Sequence, residues 1–562
     1  MDNINMRTIS MGTMRKILLL LLIILCSTGL VAQEDVSTGD RVAVLLERMP
    51  VDSMAELEKQ MEEMTAIGSE GRRQITDMVL PPGTGDDVAA RFAVGSYSMY
   101  LSANGHSNQS YAWEEECIEA VQAADNTEVK SFFLSQLQYI GTEKSLEYAS
   151  GFLSDPKLCE QALAVIAACD SPDKEDILAM SLQISSLSCP ATVMNELADM
   201  KSGIATNEYI SWYALDDAGV QAAALNAMAE SASPEVYDVL VSAAADADYG
   251  WDRTGATAAL LNYARNTGDK GDVRGMDKIF RDLIKKGAVN YKLAALEAMV
   301  HIKGHEALAY LLDEYKKGDK EYRKGILSLS AGMPGSAVTA RWIEVMHGVN
   351  ETARAEIIHM LGTRGDTLAV PAIKKALFCP HTMVRTEAAG ALAEIQGQDA
   401  VCELIDYIRS YVTDEDQLAA YNALITLADS SHRDIIIRSI EGSDDISKRT
   451  MLSLLAAMGD EQALEAVYSI FEKGNAEVRQ MAYDAMKNWP DHSSAKVLME
   501  ICASGNKNYS ERAFYDYLAL VSGAELSADR KLTLLKKIKP YALRDEQRSR
   551  LESMMAAIKE EG

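Results

Sequence analysis

The stretch HTMVRTEAAGALAEIQGQDAVCELIDYI, from His381 to Ile408, decides the fold of this chain. Its first half places apolar side chains at i, i+4, i+7, i+8 and i+11: Val384, Ala388, Ala391, Leu392 and Ile395. Its second half continues at i, i+3, i+4 and i+7: Val401, Leu404, Ile405 and Ile408. Each spacing is that of one face of an α-helix, so the stretch predicts two short amphipathic helices.

A polar break separates the two predicted helices. Gly397 interrupts the apolar pattern, and we expect the carboxylate of Asp399 to cap the second helix by accepting free backbone N–H groups. A glycine break with an aspartate after it also occurs at Gly365-Asp366 and at Gly459-Asp460. Helices this short are not stable alone in water, so each hairpin needs neighbours to pack against.

The hairpin pattern recurs, for example as KLAALEAMVHIKGHEALAYLLDEY from Lys292 and as KRTMLSLLAAMGDEQALEAVYSIF from Lys448. The predicted first helices of successive units start 30 to 33 residues apart, at Lys292, Tyr322, Ala353, Val384, Gln417, Lys448, Val478 and Glu511. Less regular units begin near Val129, Lys157 and Val220. Stacked hairpins bury their apolar faces in one continuous core. The sequence therefore predicts an all-α fold, a right-handed α-solenoid of antiparallel helix pairs.

Three groups of residues resemble HEAT repeats, specifically the short bacterial type of phycobilisome-lyase-like proteins. They are Val384-Arg385 with Ala388-Ala389 and Leu392, Gly365-Asp366 with Val370-Pro371, and Val478-Arg479 with Ala482. The resemblance covers roughly residues 90–540 and implies a HEAT/armadillo-like superhelix. Because HEAT arrays serve many roles, it implies little about function.

A second resemblance lies in LPPGTGDDVAARFAVGSYSMYLS, from Leu80 to Ser102. This stretch is similar to the opening of HEAT regions in secreted bacterial proteins, which often carry a 3-keto-disaccharide-hydrolase-like domain. We expect that β-sandwich domain to be absent here, because the helical pattern continues to Ile558. The resemblance therefore implies only a glycan context.

The N-terminus predicts a secretory signal peptide over residues 1–32. Met14-Arg15-Lys16 precedes the apolar run from Ile17 to Leu25, and Ala32 offers a small residue for cleavage. Cys26 raises a lipid anchor as an alternative, which Leu25 disfavours because a lipobox has a small residue at that position. We expect an exported bacterial protein, periplasmic, cell-surface or secreted, without a membrane span.

The rest of the chain divides by pattern into three parts. Residues 33–79 are expected to form an N-terminal helical cap, residues 80–544 the repeat solenoid, and residues 545–562 a C-terminal capping helix. Seven cysteines follow Cys26, an odd number without a CxxC pair, and most have apolar neighbours. They are expected to be small buried side chains, with one disulfide as an alternative in an oxidising compartment.

Charge narrows the class of partner. The formal net charge of −28 argues against nucleic acid and against an anionic membrane surface. Basic clusters at residues 316–324 and 531–544 are interleaved with apolar helix positions, which is typical of solvated helix faces. A protein partner is therefore the favoured class.

The sequence assigns no catalytic, cofactor-binding or metal-binding residue. It lacks a phosphate-binding loop and a GxSxG nucleophile motif. His301 and His305 stand four residues apart, but Gly304 is expected to break the helix between them. His359 lies on a predicted first helix, where packing is the simpler interpretation. We therefore expect neither enzymatic activity nor a cofactor.

The candidate binding residues lie on the second helices, which line the concave side in HEAT arrays. The polar and aromatic residues of these helices that fall outside the apolar stripe are predicted to point outward. They are Tyr310, Arg341, Lys374, Tyr407, Arg409, Arg438 and Tyr468. Tyr and Arg are favoured anchors at protein interfaces. We call these seven residues the second-helix ladder. The alternative interpretation is that they are ordinary surface positions of amphipathic helices.

These observations favour an exported, non-enzymatic scaffold or adaptor. Its concave face is expected to bind an extended segment of a protein partner. The alternative is an accessory factor or enzyme in carbohydrate processing at the cell envelope, which the glycan context suggests.

Overall fold

A computed structural model describes residues 37–103, 107–411 and 413–561. The predicted signal peptide and Cys26 lie outside these ranges. Within them, every regular element is an α-helix or a short 3-10 turn. None of these helices is both long and apolar enough to cross a bilayer. The chain divides into two compact units, Met1–Ile279 and Phe280–Gly562.

The first unit consists of short helices joined by tight turns. Three helices occupy the segment predicted as an N-terminal cap, and less regular helix pairs follow. Their bounds are Thr38–Glu47, Met54–Ala66, Gly68–Thr76, Val88–Ala103, Asn108–Ala123, Thr127–Ile140, Glu143–Ser150, Cys159–Ala168, Lys174–Ser181, Pro190–Asp199, Thr206–Tyr213, Ala218–Ser231, Tyr237–Asp246 and Ala256–Asp269, with a 3-10 turn at Pro234–Val236. The helix Val273–Lys286 contains the division between the units.

The second unit is a regular series of helix pairs. The pairs are Val289–Lys303 with Leu308–Lys317, Lys320–Gly332 with Ser336–Met346, Glu351–Arg364 with Val370–Ala376, Thr382–Gln396 with Val401–Ser410, Asp414–Leu424 with Arg433–Ile440, Asp445–Met458 with Glu461–Lys473, Ala476–Lys487 with Ala495–Ala503, and Ser510–Gly523 with Ala528–Ile538. The helix Asp545–Glu561 follows. Short 3-10 turns lie at Gly304–Ala307, Thr367–Ala369, Gly397–Ala400, His492–Ser494 and Lys539–Tyr541. The predicted fold class, an all-α solenoid of helix pairs, is confirmed.

The predicted breaks between paired helices are confirmed, but one predicted cap is wrong. Gly397 ends its helix with φ of 56°, a conformation that favours glycine. Asp366 and Asp460 accept from the backbone N–H groups of Leu368 and Ala463 and so cap the elements that follow them. Asp399 makes no such bond, because it lies inside a 3-10 turn that leads directly into the helix Val401–Ser410.

The apolar stripes of the opening stretch form the core as predicted. Val384, Ala388, Ala391 and Leu392 are buried on the first helix, as are Val401, Leu404, Ile405 and Ile408 on the second helix. Ile395 is half-buried near the end of its helix. Burying one such aliphatic side chain stabilises the fold by roughly 1.5–3 kcal/mol, which explains why the stripe defines the helix orientation.

First helices of consecutive repeats approach one another closely. A Cβ added at Gly362 would lie 2.9 Å from the Cα of Ala391 on the next first helix. Second helices of consecutive repeats touch far less extensively. The first helices therefore form the more tightly packed layer of the second unit. The predicted concave face on the second helices stays a prediction.

The cysteines are mostly small buried side chains, as the sequence predicts. Cys117, Cys169 and Cys502 are buried, Cys379 is half-buried and Cys402 is exposed. Cys159 and Cys189 form a disulfide, with their Cα atoms 5.9 Å apart. The bond joins the helix Cys159–Ala168 to the residue just before the helix Pro190–Asp199, so it ties consecutive segments of the first unit together.

Candidate partner-binding surface

The charged members of the second-helix ladder are held by local ion pairs and hydrogen bonds. Arg341 pairs with Glu344 at 2.5 Å, and Arg409 lies 3.9 Å from Asp406. Lys374 contacts Glu403 of the next second helix, and the Nε of Arg438 donates to the carbonyl of Asp434. Most of these charges are solvent-exposed, so the pairs contribute little to stability. Their role in partner binding stays a prediction.

Tyr407 does not project outward, so this part of the prediction is wrong. Its side chain is 0% exposed, and its hydroxyl donates to the carboxylate of Asp416. Asp416 also accepts two hydrogen bonds from Arg385, at 3.1 and 2.6 Å, and one from Thr413 at 2.6 Å. Tyr407 lies outside the apolar stripe of its helix. Its hydroxyl is nevertheless buried, because Asp416 of the next repeat accepts its hydrogen bond.

Tyr468 is half-buried rather than fully exposed. Its ring stacks against that of Phe471, with the centroids 6.2 Å apart. Burial, together with the negative charges of Glu472 and Glu500, raises the pKa of its hydroxyl. Tyr310 is also half-buried, and it lines a pocket beside Arg281. The ladder therefore does not form a continuous row of open side chains.

A groove runs across the first helices of three consecutive repeats. It lies on the helices Lys320–Gly332, Glu351–Arg364 and Thr382–Gln396 and encloses about 510 Å³. Its apolar lining includes Leu327, Ala331, Ala355, Met360 and Met383. We call it the first-helix groove. Met383 is 51% exposed, which leaves a flexible, polarisable side chain at the solvent edge of the groove.

Charged side chains border the first-helix groove. Lys320 and Lys324 lie on one repeat, and His359 and Glu387 form a 3.3 Å contact across the next two. His359 is 69% exposed, so the prediction that it packs is wrong.

Glu356 also borders the groove, but its carboxylate is already engaged. Hydrogen bonds from Arg323 at 2.8 and 2.9 Å lower its pKa, and the hydroxyl of Tyr315 donates to it at 3.2 Å.

This groove was not predicted from the sequence. The predicted binding positions all lie on second helices, whereas the groove is lined by apolar side chains on first helices that fall outside the buried stripe. Met383 stands directly before Val384, the first residue of the buried stripe. An apolar residue in that position was the available signal.

His301 and His305 do not share a helix. Gly304 ends the helix with φ of 55°, so His301 lies on the helix and His305 in the 3-10 turn that follows, as predicted. Across residues 37–103, 107–411 and 413–561, no group of three or more His, Cys, Asp or Glu side chains is arranged to hold a metal ion.

Residues 339–428 match the sequence model of the family described as HEAT repeats. This segment therefore contains HEAT repeats. The matched segment contains the opening stretch and part of the first-helix groove. Among proteins with curated descriptions, none is significantly similar to the chain in sequence.

Several solved helical-repeat structures resemble the chain distantly. The phycocyanin lyase complex of CpcE and CpcF from Nostoc sp. PCC7120 is 16% identical with a TM-score of 0.23, covering 45% of this chain and 94% of that one. The karyopherin Kap121p bound to RanGTP is 11% identical with a TM-score of 0.36, covering 90% of this chain and 58% of that one. The S. pombe condensin Cnd3–Cnd2 subcomplex is 9% identical with a TM-score of 0.29, covering 93% and 100%. At such scores these likenesses carry no functional argument.

Proposed function

We propose that this HEAT-repeat protein is an exported, non-catalytic scaffold that binds a segment of a partner protein in the first-helix groove. The observation that supports this most directly is the groove itself. Three consecutive first helices provide an apolar lining with a partly exposed Met383, bordered by lysines and by the His359–Glu387 pair. Apolar centres with polar rims are the usual anatomy of protein interfaces.

The groove suits a chain segment better than a small molecule that must be enclosed. It spans three repeats, so a segment lying along it contacts equivalent positions on successive helices. Met360 and Met383 can adapt to different apolar side chains. The lysines and Glu387 can pair with polar groups of the segment and set its direction.

The binding role can be tested with a photo-crosslinking amino acid at position 383. We expect it to trap a discrete protein, and Met383→Glu to weaken binding of that purified protein at least tenfold. A matched control is Leu368→Glu, because Leu368 is similarly exposed, at 47%, but lies in a turn outside the groove lining. Equal loss in both variants, or no loss in either, would contradict the proposal.

Export is supported by two features of the chain. The N-terminal sequence has the pattern of a signal peptide, and the Cys159–Cys189 disulfide is of a kind that persists in oxidising compartments. We expect mass spectrometry of the protein from its native cells to find a mature N-terminus at Gln33 and the Cys159–Cys189 bond intact. An intact Met1 terminus together with reduced cysteines would contradict export.

The non-catalytic part of the proposal has its own test. We expect the purified protein to show no turnover on panels of glycosides, peptides and esters. Robust turnover that one carboxylate or histidine substitution abolishes would overturn it and would restore the carbohydrate-processing alternative.

A further inference from the structure

A second pocket, of about 620 Å³, lies near the start of the second unit. It is lined by the end of the helix Val273–Lys286, from Arg281 onward, and by the helix Leu308–Lys317. The first turns of the helices Val289–Lys303 and Lys320–Gly332 complete the lining. Four cationic side chains line it, namely Arg281, Lys285, Lys292 and Lys317, together with the rings of Tyr310 and Tyr322. We call it the basic pocket.

Two of these cations are available to a ligand. Among the residues that the structure describes, neither Lys285 nor Lys292 takes part in an ion pair. The ammonium of Lys292 lies 5.8 Å from the centroid of the Tyr322 ring. An aromatic face attracts a cation without cancelling its charge, so Lys292 is held in place while remaining positive.

The carboxylates of the pocket are already engaged. Asp319 caps the next helix by accepting from the backbone N–H of Tyr322 at 2.9 Å. Glu314 accepts from the Tyr322 hydroxyl at 3.3 Å and pairs with Lys317 at 3.1 Å, and Lys317 also contacts Asp313 at 2.5 Å. The lining carries four cations against three carboxylates, a formal charge of +1, and Lys285 and Lys292 pair with none of these carboxylates.

The pocket lies within a basic island of an acidic chain. Residues 274–324 contain 12 Lys and Arg against 8 Asp and Glu, whereas the whole chain carries −28. A short acidic segment fits within such an island. A long polyanion such as nucleic acid would extend onto the acidic surface beyond it and be repelled.

We propose that the basic pocket binds an acidic segment of a protein, with carboxylates placed at Lys285 and Lys292 and apolar parts against the rings of Tyr310 and Tyr322. The inference rests on the proposed function only in taking the ligand to be part of a protein. The basic pocket and the first-helix groove share no lining residue, so the two sites are tested separately. Tyr310 is the ladder residue that this pocket includes.

The test measures binding of a fluorescein-labelled hexaglutamate peptide to the purified full chain by fluorescence anisotropy. We expect saturable binding that weakens as salt rises, because exposed charges are screened. The double variant K285E/K292E is expected to weaken binding tenfold or more, since each reversal replaces an attraction by a repulsion. Its melting temperature is expected to stay close to the original, because Lys285 is exposed and Lys292 only half-buried.

The matched control is K536E/K537E, which makes the same charge change at two exposed lysines of the helix Ala528–Ile538. Hexaglutamate binding should persist in this control and in the groove variant Met383→Glu. An equal loss in both double variants would show general attraction to any basic patch and would overturn the inference, as would failure of the original protein to bind. Tighter binding of an oligothymidylate of matched charge would replace the peptide ligand by nucleic acid.

Discussion

Arg385 and Asp416 form an ion pair that is buried between the first helices of consecutive repeats. The Nη2 of Arg385 lies 2.6 Å from Oδ2 of Asp416, and the two side chains are 5% and 1% exposed. The guanidinium also donates to the carbonyls of Cys379 and Pro380 and lies 4.1 Å from the centroid of the Tyr411 ring. A buried pair with its hydrogen bonds satisfied fixes the position of one repeat against the next.

Removing one partner of this pair should destabilise the second unit strongly. We expect Arg385→Met to cost about 3–5 kcal/mol, because it leaves the Asp416 carboxylate buried without its counter-ion. Denaturant unfolding followed by circular dichroism measures the loss. The control Arg341→Met breaks the exposed pair with Glu344 and should change stability by less than about 1 kcal/mol.

A double substitution separates the loss of attraction from the burial of a lone charge. Arg385→Met combined with Asp416→Leu removes both charges, and it should be more stable than Arg385→Met alone. A double variant as unstable as the single one would mean that the polar network, rather than the unpaired charge, carries the stability.

The same carboxylate gives the stability a pH dependence. Burial would raise the pKa of Asp416, but hydrogen bonds from Arg385, Thr413 and Tyr407 outweigh it and lower the pKa below the usual value. Since the unfolded chain has the ordinary Asp pKa of about 3.9, the contribution is complete above that pH. It is lost as the pH falls through the lower pKa of the folded state.

Unfolding of the original protein and of Asp416→Asn should therefore be compared between neutral and strongly acidic pH. We expect a constant stability difference from neutral pH down to about 4 and a shrinking difference below it. A difference that stays unchanged through the acidic range would show that Asp416 is not charged in the folded protein.

Leu392 tests the repeat architecture itself. It is fully buried on the first helix of its repeat, and Leu392→Asp places a charge there without a partner. In a stack where each repeat contacts its neighbours, the damage should spread to them. Hydrogen exchange should show loss of protection over residues 353–440. Met383→Asp introduces the same charge at an exposed position of the same helix and should leave protection there unchanged.

The repeat and its core could be predicted from sequence because both rest on local patterns. The predicted first helices of the second unit begin within three residues of the observed starts, and the stripes of Val384 to Leu392 and Val401 to Ile408 are buried. Helix periodicity and glycine breaks are properties of neighbouring residues, so a single sequence contains them. Asp399 failed as a cap because a 3-10 turn runs directly into the next helix there.

The surfaces could be predicted less well because they depend on contacts between repeats. Asp416 lies on the helix Asp414–Leu424, in the repeat after the one that contains Tyr407, and its charge is what draws the tyrosine hydroxyl inward. The first-helix groove requires side chains from three helices, of which Leu327 and Met383 are 56 positions apart in sequence. Helix periodicity predicts which side chains lie outside the apolar stripe. It does not predict which side chains of the next repeat they contact.

Tyr407 is the position at which sequence and structure predict opposite results. As an outward ladder residue, its replacement by Ala would leave folding within about 0.5 kcal/mol. As a fully buried side chain bound to Asp416, its replacement by Ala should cost about 3–5 kcal/mol of stability through the cavity alone.

Tyr407→Phe keeps the ring and removes one hydrogen bond to a charged group, so a loss of about 1.5–3 kcal/mol of stability is expected. Arg409→Ala, two residues away and exposed, is the control and should leave the melting temperature unchanged. A graded loss from Phe to Ala in thermal unfolding supports burial, whereas unchanged melting in all three variants would return Tyr407 to the surface and make it available to a partner.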